Sequence, residues 1–115
     1  MGILDLFRSK AKADPDQSVL AHLGRAGSDL SKPHRIEFFL YFPTQPIAEK
    51  AATSIRGDGF EVEVSRAAQG DNWLCFAKKK LVPELTDLQE IRRNFITLTA
   101  SLGGEYDGWG TQVIK

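Results

Sequence analysis

Cysteine is almost missing from the 115 residues: Cys75 stands alone, so no internal disulfide can form. With only His22 and His34 to join it, the chain lacks a convincing zinc set, and neither a metal nor a cofactor is called for. An excess of one charge is missing too, because Lys+Arg and Asp+Glu both number 15. No global field advertises nucleic acid or a membrane as a partner, and any such preference has to be local. No apolar run of about 18 residues is present. The N-terminus has neither the apolar core nor the small-residue cleavage site of a signal peptide. These absences predict an intracellular, cytoplasmic protein, and the length suits one domain with a core of its own.

What is present is best read around Gly103-Gly104-Glu105-Tyr106-Asp107-Gly108-Trp109-Gly110-Thr111, which packs glycines, aromatics and carboxylates together. Gly103 and Gly104 end a helical pattern, since glycine enters the left-handed conformation of a helix C-cap without steric cost. The residues after them read as a short strand, in which Gly108 and Gly110 would let another backbone or a large ring approach. A regular strand points Glu105, Asp107 and Trp109 one way and Tyr106, Gly108 and Gly110 the other. A bulge at Asp107-Gly108 would break that parity. The stretch is then either a structural corner whose Tyr and Trp fill core space, or a recognition edge formed by Trp109 and the carboxylates.

Earlier in the chain, residues 1–13 form a tail in which Ile3, Leu4, Leu6 and Phe7 suit a short helix followed by Arg8, Lys10 and Lys12, a pattern open to a membrane surface or a partner groove. Residues 14–33 make an N-terminal helix and linker. Asp14 caps the helix, Pro15 sits where its missing donor does no harm, and Gln17 has capping-box spacing. Val19, Leu20 and Leu23 form a narrow apolar stripe.

Residues 34–115 carry the remaining elements. His34 to Phe42 is a strand apolar on both faces, with Ile36, Phe38, Leu40 and Phe42 on one side and Phe39 and Tyr41 on the other, as expected of a central strand. Thr44 caps a helix that buries Ile47, Ala48, Ala51 and Ile55. Phe60, Val62 and Val64 alternate with polar residues in a half-exposed strand, and Trp73 to Lys80 makes another. A second helix opens at Pro83 or Thr86, where Thr86 and Gln89 have capping-box spacing. Its Leu85, Leu88, Ile91, Phe95, Leu98 and Leu102 recur at steps of three and four. A last strand follows through Val113 and Ile114.

The order strand, helix, strand, strand, helix, strand predicts an α+β, ferredoxin-like βαββαβ fold: a four-stranded antiparallel sheet with both helices on one face, plus the N-terminal helix. Two helices cover one face only. Phe39, Tyr41 and Trp73, at about 150–250 Å² each, then need a cover, which is either the N-terminal helix or a partner.

The terminal motif Glu105 to Thr111, with Gly27-Ser28-Asp29, Ile36-Glu37 and Gly59-Phe60-Glu61-Val62 before it, resembles the regulator of ribonuclease E activity B (RraB) family over about residues 27–113. The resemblance implies a ferredoxin-like bacterial protein without catalytic activity, whose partner is a protein, the endoribonuclease ribonuclease E, and which damps that enzyme's processing of RNA. The positions that match are Glu37 and Glu105 through Thr111. Two features depart from the family pattern: Phe38 and Phe39 stand where a histidine pair follows the strand glutamate, and the chain ends at Lys115 without an acidic tail.

The partner-binding residues expected on these grounds are Phe39, Tyr41, Trp73, Glu105, Tyr106, Asp107 and Trp109. The alternative is an RRM-like module that binds single-stranded RNA through Phe39, Tyr41, Trp73 and Lys78 to Lys80. Residues Gly70 to Ala77 lack the basic-Gly-aromatic run that such a module carries on its third strand, and direct nucleic-acid binding is not expected. No enzyme pattern emerges. Glu105 and Asp107 have no basic partner in sequence, Cys75 sits in an apolar strand, and Pro43-Thr44-Gln45-Pro46 offers too few free amides to cradle a phosphate.

Overall fold

The computed structural model describes residues 14–115, and the amphipathic segment expected over residues 1–13 lies outside them. Helix α1 (Pro15–Arg25) is followed by β1 (His34–Phe42), α2 (Gln45–Gly57), β2 (Glu61–Arg66), β3 (Trp73–Leu81), α3 (Leu85–Ser101) and β4 (Glu105–Gly110). The strands form one antiparallel sheet in the order β2-β3-β1-β4. This is the ferredoxin-like arrangement expected from the element order.

Local chemistry starts the elements where the sequence places them. The Asp14 carboxylate accepts from the amides of Asp16 at 2.8 Å and Gln17 at 3.3 Å. Thr44 Oγ1 accepts from the Ile47 amide at 3.4 Å and caps α2. At the far end of α3, Gly103 takes φ +70° and the Gly104 amide donates to the Thr99 carbonyl at 2.8 Å, which closes a Schellman motif.

The core lies between the sheet and the helix layer. Ile36, Phe38, Leu40 and Phe42 of β1 are fully buried there, with Cys75 and Ala77 of β3, Ala48, Ala51, Ala52 and Ile55 of α2, and Leu88 and Phe95 of α3. Register explains the mixture of sizes, because Cys75 stands opposite Leu40 and Ala77 opposite Phe38. Phe38, Phe60 and Phe95 meet with ring centroids 5.3–5.5 Å apart.

Three expectations are corrected. First, α1 packs against α3 and contributes Leu23 to the core, so it widens the helix layer and does not cover the opposite face of the sheet. Second, α3 begins at Leu85, and its N-cap Glu84 makes no side-chain cap. The Thr86–Gln89 capping box gives way because Gln89 Nε2 donates instead to Asp14 Oδ2 at the start of α1. Third, the last strand stops at Gly110, and Val113 and Ile114 lie in an irregular segment. That segment is held by the 27–33 linker: the Ile114 amide donates to Ser28 Oγ at 3.0 Å and the Asp29 amide donates to the Ile114 carbonyl at 2.5 Å.

The glycine that must be small is Gly104. A Cβ there would overlap the Tyr41 carbonyl oxygen and come within 2.6 Å of the Phe42 ring, whereas Cβ atoms at Gly108 and Gly110 would meet nothing within 4 Å. Gly104→Ala is therefore expected to lower stability by about 1–3 kcal/mol through overpacking. A urea midpoint that falls with unchanged slope reports this, and Gly110→Ala stays within about 0.5 kcal/mol as the matched control.

Candidate functional site

The face of the sheet opposite the helices presents Arg35, Glu37, Phe39 and Tyr41 from β1 beside Lys80, Lys78, Phe76 and Leu74 from β3, in that register. No described element lies across it. At its centre the half-buried rings of Phe39 and Phe76 lean on each other, with centroids 5.4 Å apart and planes at 35°. Lys78 Nζ sits 5.2 Å from the Phe76 centroid and 3.8 Å from Glu63 of β2. Arg35 pairs with Glu61 at 3.0 Å across the β3 strand. The Arg35–Glu61 pair is exposed on both sides and is worth about 0–1 kcal/mol, so it orders the face more than it stabilises the fold.

Trp73 is not part of this patch. It stands opposite Phe42 in the register and so faces the helix layer, where it packs against the core with Arg66 Cζ 5.5 Å from its ring. The third aromatic beside Phe39 and Tyr41 is Phe76. Its signal in the sequence is the small pair Cys75 and Ala77, which can only face the large side chains of β1 in the core and so turns Phe76 outward.

On β4 the strand parity breaks as the Asp107-Gly108 pair allows. Trp109 pairs with Phe38 and Tyr106 with Leu40, leaving Asp107 and Gly108 opposite Phe39 alone. Gly108 has φ +104°, a conformation that costs glycine little and other residues much. Tyr106 and Trp109 consequently both turn toward the helices. Trp109 is 9% exposed, and its indole N–H donates to Asp16 Oδ1 of α1 at 3.0 Å. The structural corner is what these two rings form, while Glu105 and Asp107 remain exposed.

This corner buries polar atoms that are not all satisfied. Asp16 is 2% exposed, and both its Oδ2 and the Tyr106 hydroxyl are buried without a hydrogen-bond partner among the described residues. Burial pushes the Asp16 pKa above the usual carboxylate range and the charge of Asp14 adds to this, against the indole hydrogen bond and Arg92. Burial likewise raises the Tyr106 phenol, with the Asp16 carboxylate adding to it. Burial also pulls Asp14 upward, but the hydrogen bonds from Gln89, Gln17 and Asp16 prevail and hold it below its ordinary value.

At one end of the open face, Glu105 and Asp107 meet Tyr41 and the turn between β2 and β3, where Gln69 and Asn72 complete a concavity of about 390 Å³. Among the described residues neither carboxylate has a basic group within 4.0 Å. The other candidates for chemistry have structural employment. Cys75 donates to the Ala48 carbonyl at 3.2 Å, and burial pushes its thiol up to about 11, which leaves it unreactive. His34 is fully buried, its Nδ1 2.8 Å from the Lys32 carbonyl and its Nε2 2.6 Å from Ser28 Oγ. Among the described residues no three His, Cys, Asp or Glu side chains cluster so as to hold a metal ion, and no helix is long and apolar enough to cross a membrane.

The family model described as Regulator of ribonuclease activity B matches residues 13–111, a span that takes in α1 as well as the sheet. The chain is 31% identical over 104 residues to a Regulator of ribonuclease activity B from Pseudoalteromonas atlantica, covering 87% of this chain and 89% of that relative. It is 31% identical over 101 residues to one from Actinobacillus succinogenes, covering 83% and 70% respectively.

Two outcomes follow from the Trp109–Asp16 contact. Trp109→Phe leaves the buried Asp16 carboxylate with neither oxygen paired, and chemical denaturation should show a loss of about 1–3 kcal/mol from that alone. Asp16→Asn acts in the opposite direction. A raised folded pKa means that the charged carboxylate opposes folding above that pKa, and that the opposition fades as pH falls through it. The Asn variant should melt above the native protein at pH 7, and its advantage should shrink toward acid pH.

Proposed function

Because this chain belongs to the Regulator of ribonuclease activity B family, we propose that it binds ribonuclease E by direct protein contact and damps its processing of RNA, without catalysing a reaction itself. The same reading implies a cytoplasmic protein. The observation that carries it is the Phe39–Phe76 pair, two half-buried rings at the centre of a sheet face that no described element covers. Apolar area of this kind is stabilised by a second surface, and large aromatics are the residues on which binding energy concentrates. Tyr41 and Leu74 extend the patch toward Glu105 and Asp107.

An RNA-binding reading of the same face is weaker. The two rings lean on each other, and Lys78 takes up one side of Phe76 while paired with Glu63, so neither ring is presented as a stacking platform. The strand residues of the face carry five carboxylates against three cations, which repels a phosphate backbone. Trp109 and Tyr106 contribute by holding β4 in place from the core side, and Trp73 by packing beneath β3.

The test is the affinity of the full chain for full-length ribonuclease E from its own host, freed of RNA, at moderate salt. The native protein should bind saturably. Phe39→Ser should keep a cooperative unfolding transition and weaken binding by about tenfold or more. Absence of binding by the native protein would sink the ribonuclease E assignment.

A further inference from the structure

We propose that the partner segment received by the open face is basic, and that it seats an arginine side chain in the corner formed by Tyr41, Glu105 and Asp107. This rests on the reading of the face as a protein-binding surface, and it assigns the chemistry of the occupant. The charges of the face are unevenly distributed along the strands. At the end where β1 begins, cations and carboxylates are mixed in equal number: Arg35 pairs with Glu61 and Lys78 with Glu63, while Lys80 and Glu37 share that end without an ion pair among the described residues. At the end where β1 finishes, Glu105 and Asp107 are exposed, and no described basic group reaches them. Two carboxylates held at an aromatic patch without a counter-charge complement a cation carried by the partner.

Arginine fits this corner better than lysine. Its planar guanidinium can donate to a carboxylate through two parallel hydrogen bonds while its flat face lies on an aromatic ring. Here Tyr41 stands opposite Glu105 in the sheet register, and Asp107 follows in the bulge, so ring and carboxylates line one concavity. The side-chain carbonyls of Gln69 and Asn72 at the same concavity can accept from the remaining donors. The bulge matters to this arrangement. By turning Tyr106 and Trp109 into the core, it leaves the outer side of β4 to the two carboxylates. Beyond the corner the Phe39–Phe76 pair offers an apolar surface to the residues that flank the arginine.

The experiment is a titration of the isotope-labelled full chain, followed by amide chemical shifts, with three probes. They are a short peptide alternating arginine and leucine, the same peptide with glutamate in place of arginine, and oligouridylate. The arginine peptide should produce saturable shifts centred on Tyr41, Glu105 and Asp107, and the glutamate peptide none. The double variant Glu105→Gln/Asp107→Ser changes only exposed side chains. It should keep the native melting temperature and weaken the arginine peptide by about tenfold or more. The proposal is overturned if the arginine peptide binds elsewhere or not at all, if the double variant binds it as well as the native chain does, or if oligouridylate alone occupies the face. Ribonuclease E separates this proposal from the functional reading. If the native chain fails to bind the enzyme while the arginine peptide seats in the corner, the functional reading fails and the basic occupant stands. If the native chain and the double variant bind the enzyme equally, the corner fails and the functional reading stands.

Discussion

Two residues of β4, Asp107 and Gly108, stand opposite a single residue of β1, and the fold on either side of the sheet depends on that mismatch. Without it, Tyr106 and Trp109 would lie on opposite faces, because strand side chains alternate. With it, both rings enter the core. Tyr106 reaches Phe95 of α3 at a centroid distance of 5.5 Å, and Trp109 fixes α1 through the Asp16 carboxylate. The bulge is possible because Gly108 accepts a positive φ, so one glycine sets which side of β4 is interior and which is left to carboxylates.

The two faces of the sheet are built on different principles. Toward the helices, small residues of β3 answer large residues of β1, and burial is nearly complete for Phe38, Leu40, Cys75 and Ala77. Phe38 and Leu40 each contribute about 1.5–3 kcal/mol by leaving water, and the small residues opposite them contribute less, which is where the stability of the domain comes from. Toward the other side, aromatic residues are only half covered, and the charges around them form pairs that add little to stability. A face that contributes so little to folding is free to be specialised for contact. The adjacent rings of Phe38 and Phe39 fall one on each face: Phe38 is fully buried among the core aromatics, and Phe39 is at the centre of the open patch.

Much of this was legible in the residues. The element order and the alternation in β1 led to the sheet and its helix layer, and the Asp107-Gly108 dipeptide flagged the bulge. What local pattern could not reveal was pairing between distant segments. Gln89 has the spacing of a capping box, yet its amide goes to Asp14, 75 residues away. His34 follows a proline at a strand start and could have faced solvent. It is buried because Ser28 and the Lys32 carbonyl satisfy its ring. Trp73 reads in sequence as part of the patch, but the face of a strand end depends on inter-strand register, and standing opposite Phe42 turns Trp73 to the core side. On the open face, Phe39, Tyr41 and the two carboxylates were visible in sequence, whereas Phe76 at its centre and the meeting of the carboxylates with the Gln69 and Asn72 turn required the structure.

The attachments of α1 have a kinetic consequence. Asp16 to Trp109 spans 93 residues, Ser28 to Ile114 spans 86 and Asp14 to Gln89 spans 75. Closing such long loops costs chain entropy before any contact rewards it, so these bonds form only once β1, β3 and β4 have already brought their partners together. The first helix in the chain is therefore expected to be the last to be fixed. Because it is tied down by polar bonds, one buried apolar side chain, Leu23, and the half-buried Val19 and Leu20, it is also the segment expected to open at the lowest free energy, exchanging its amides with water while the sheet stays intact.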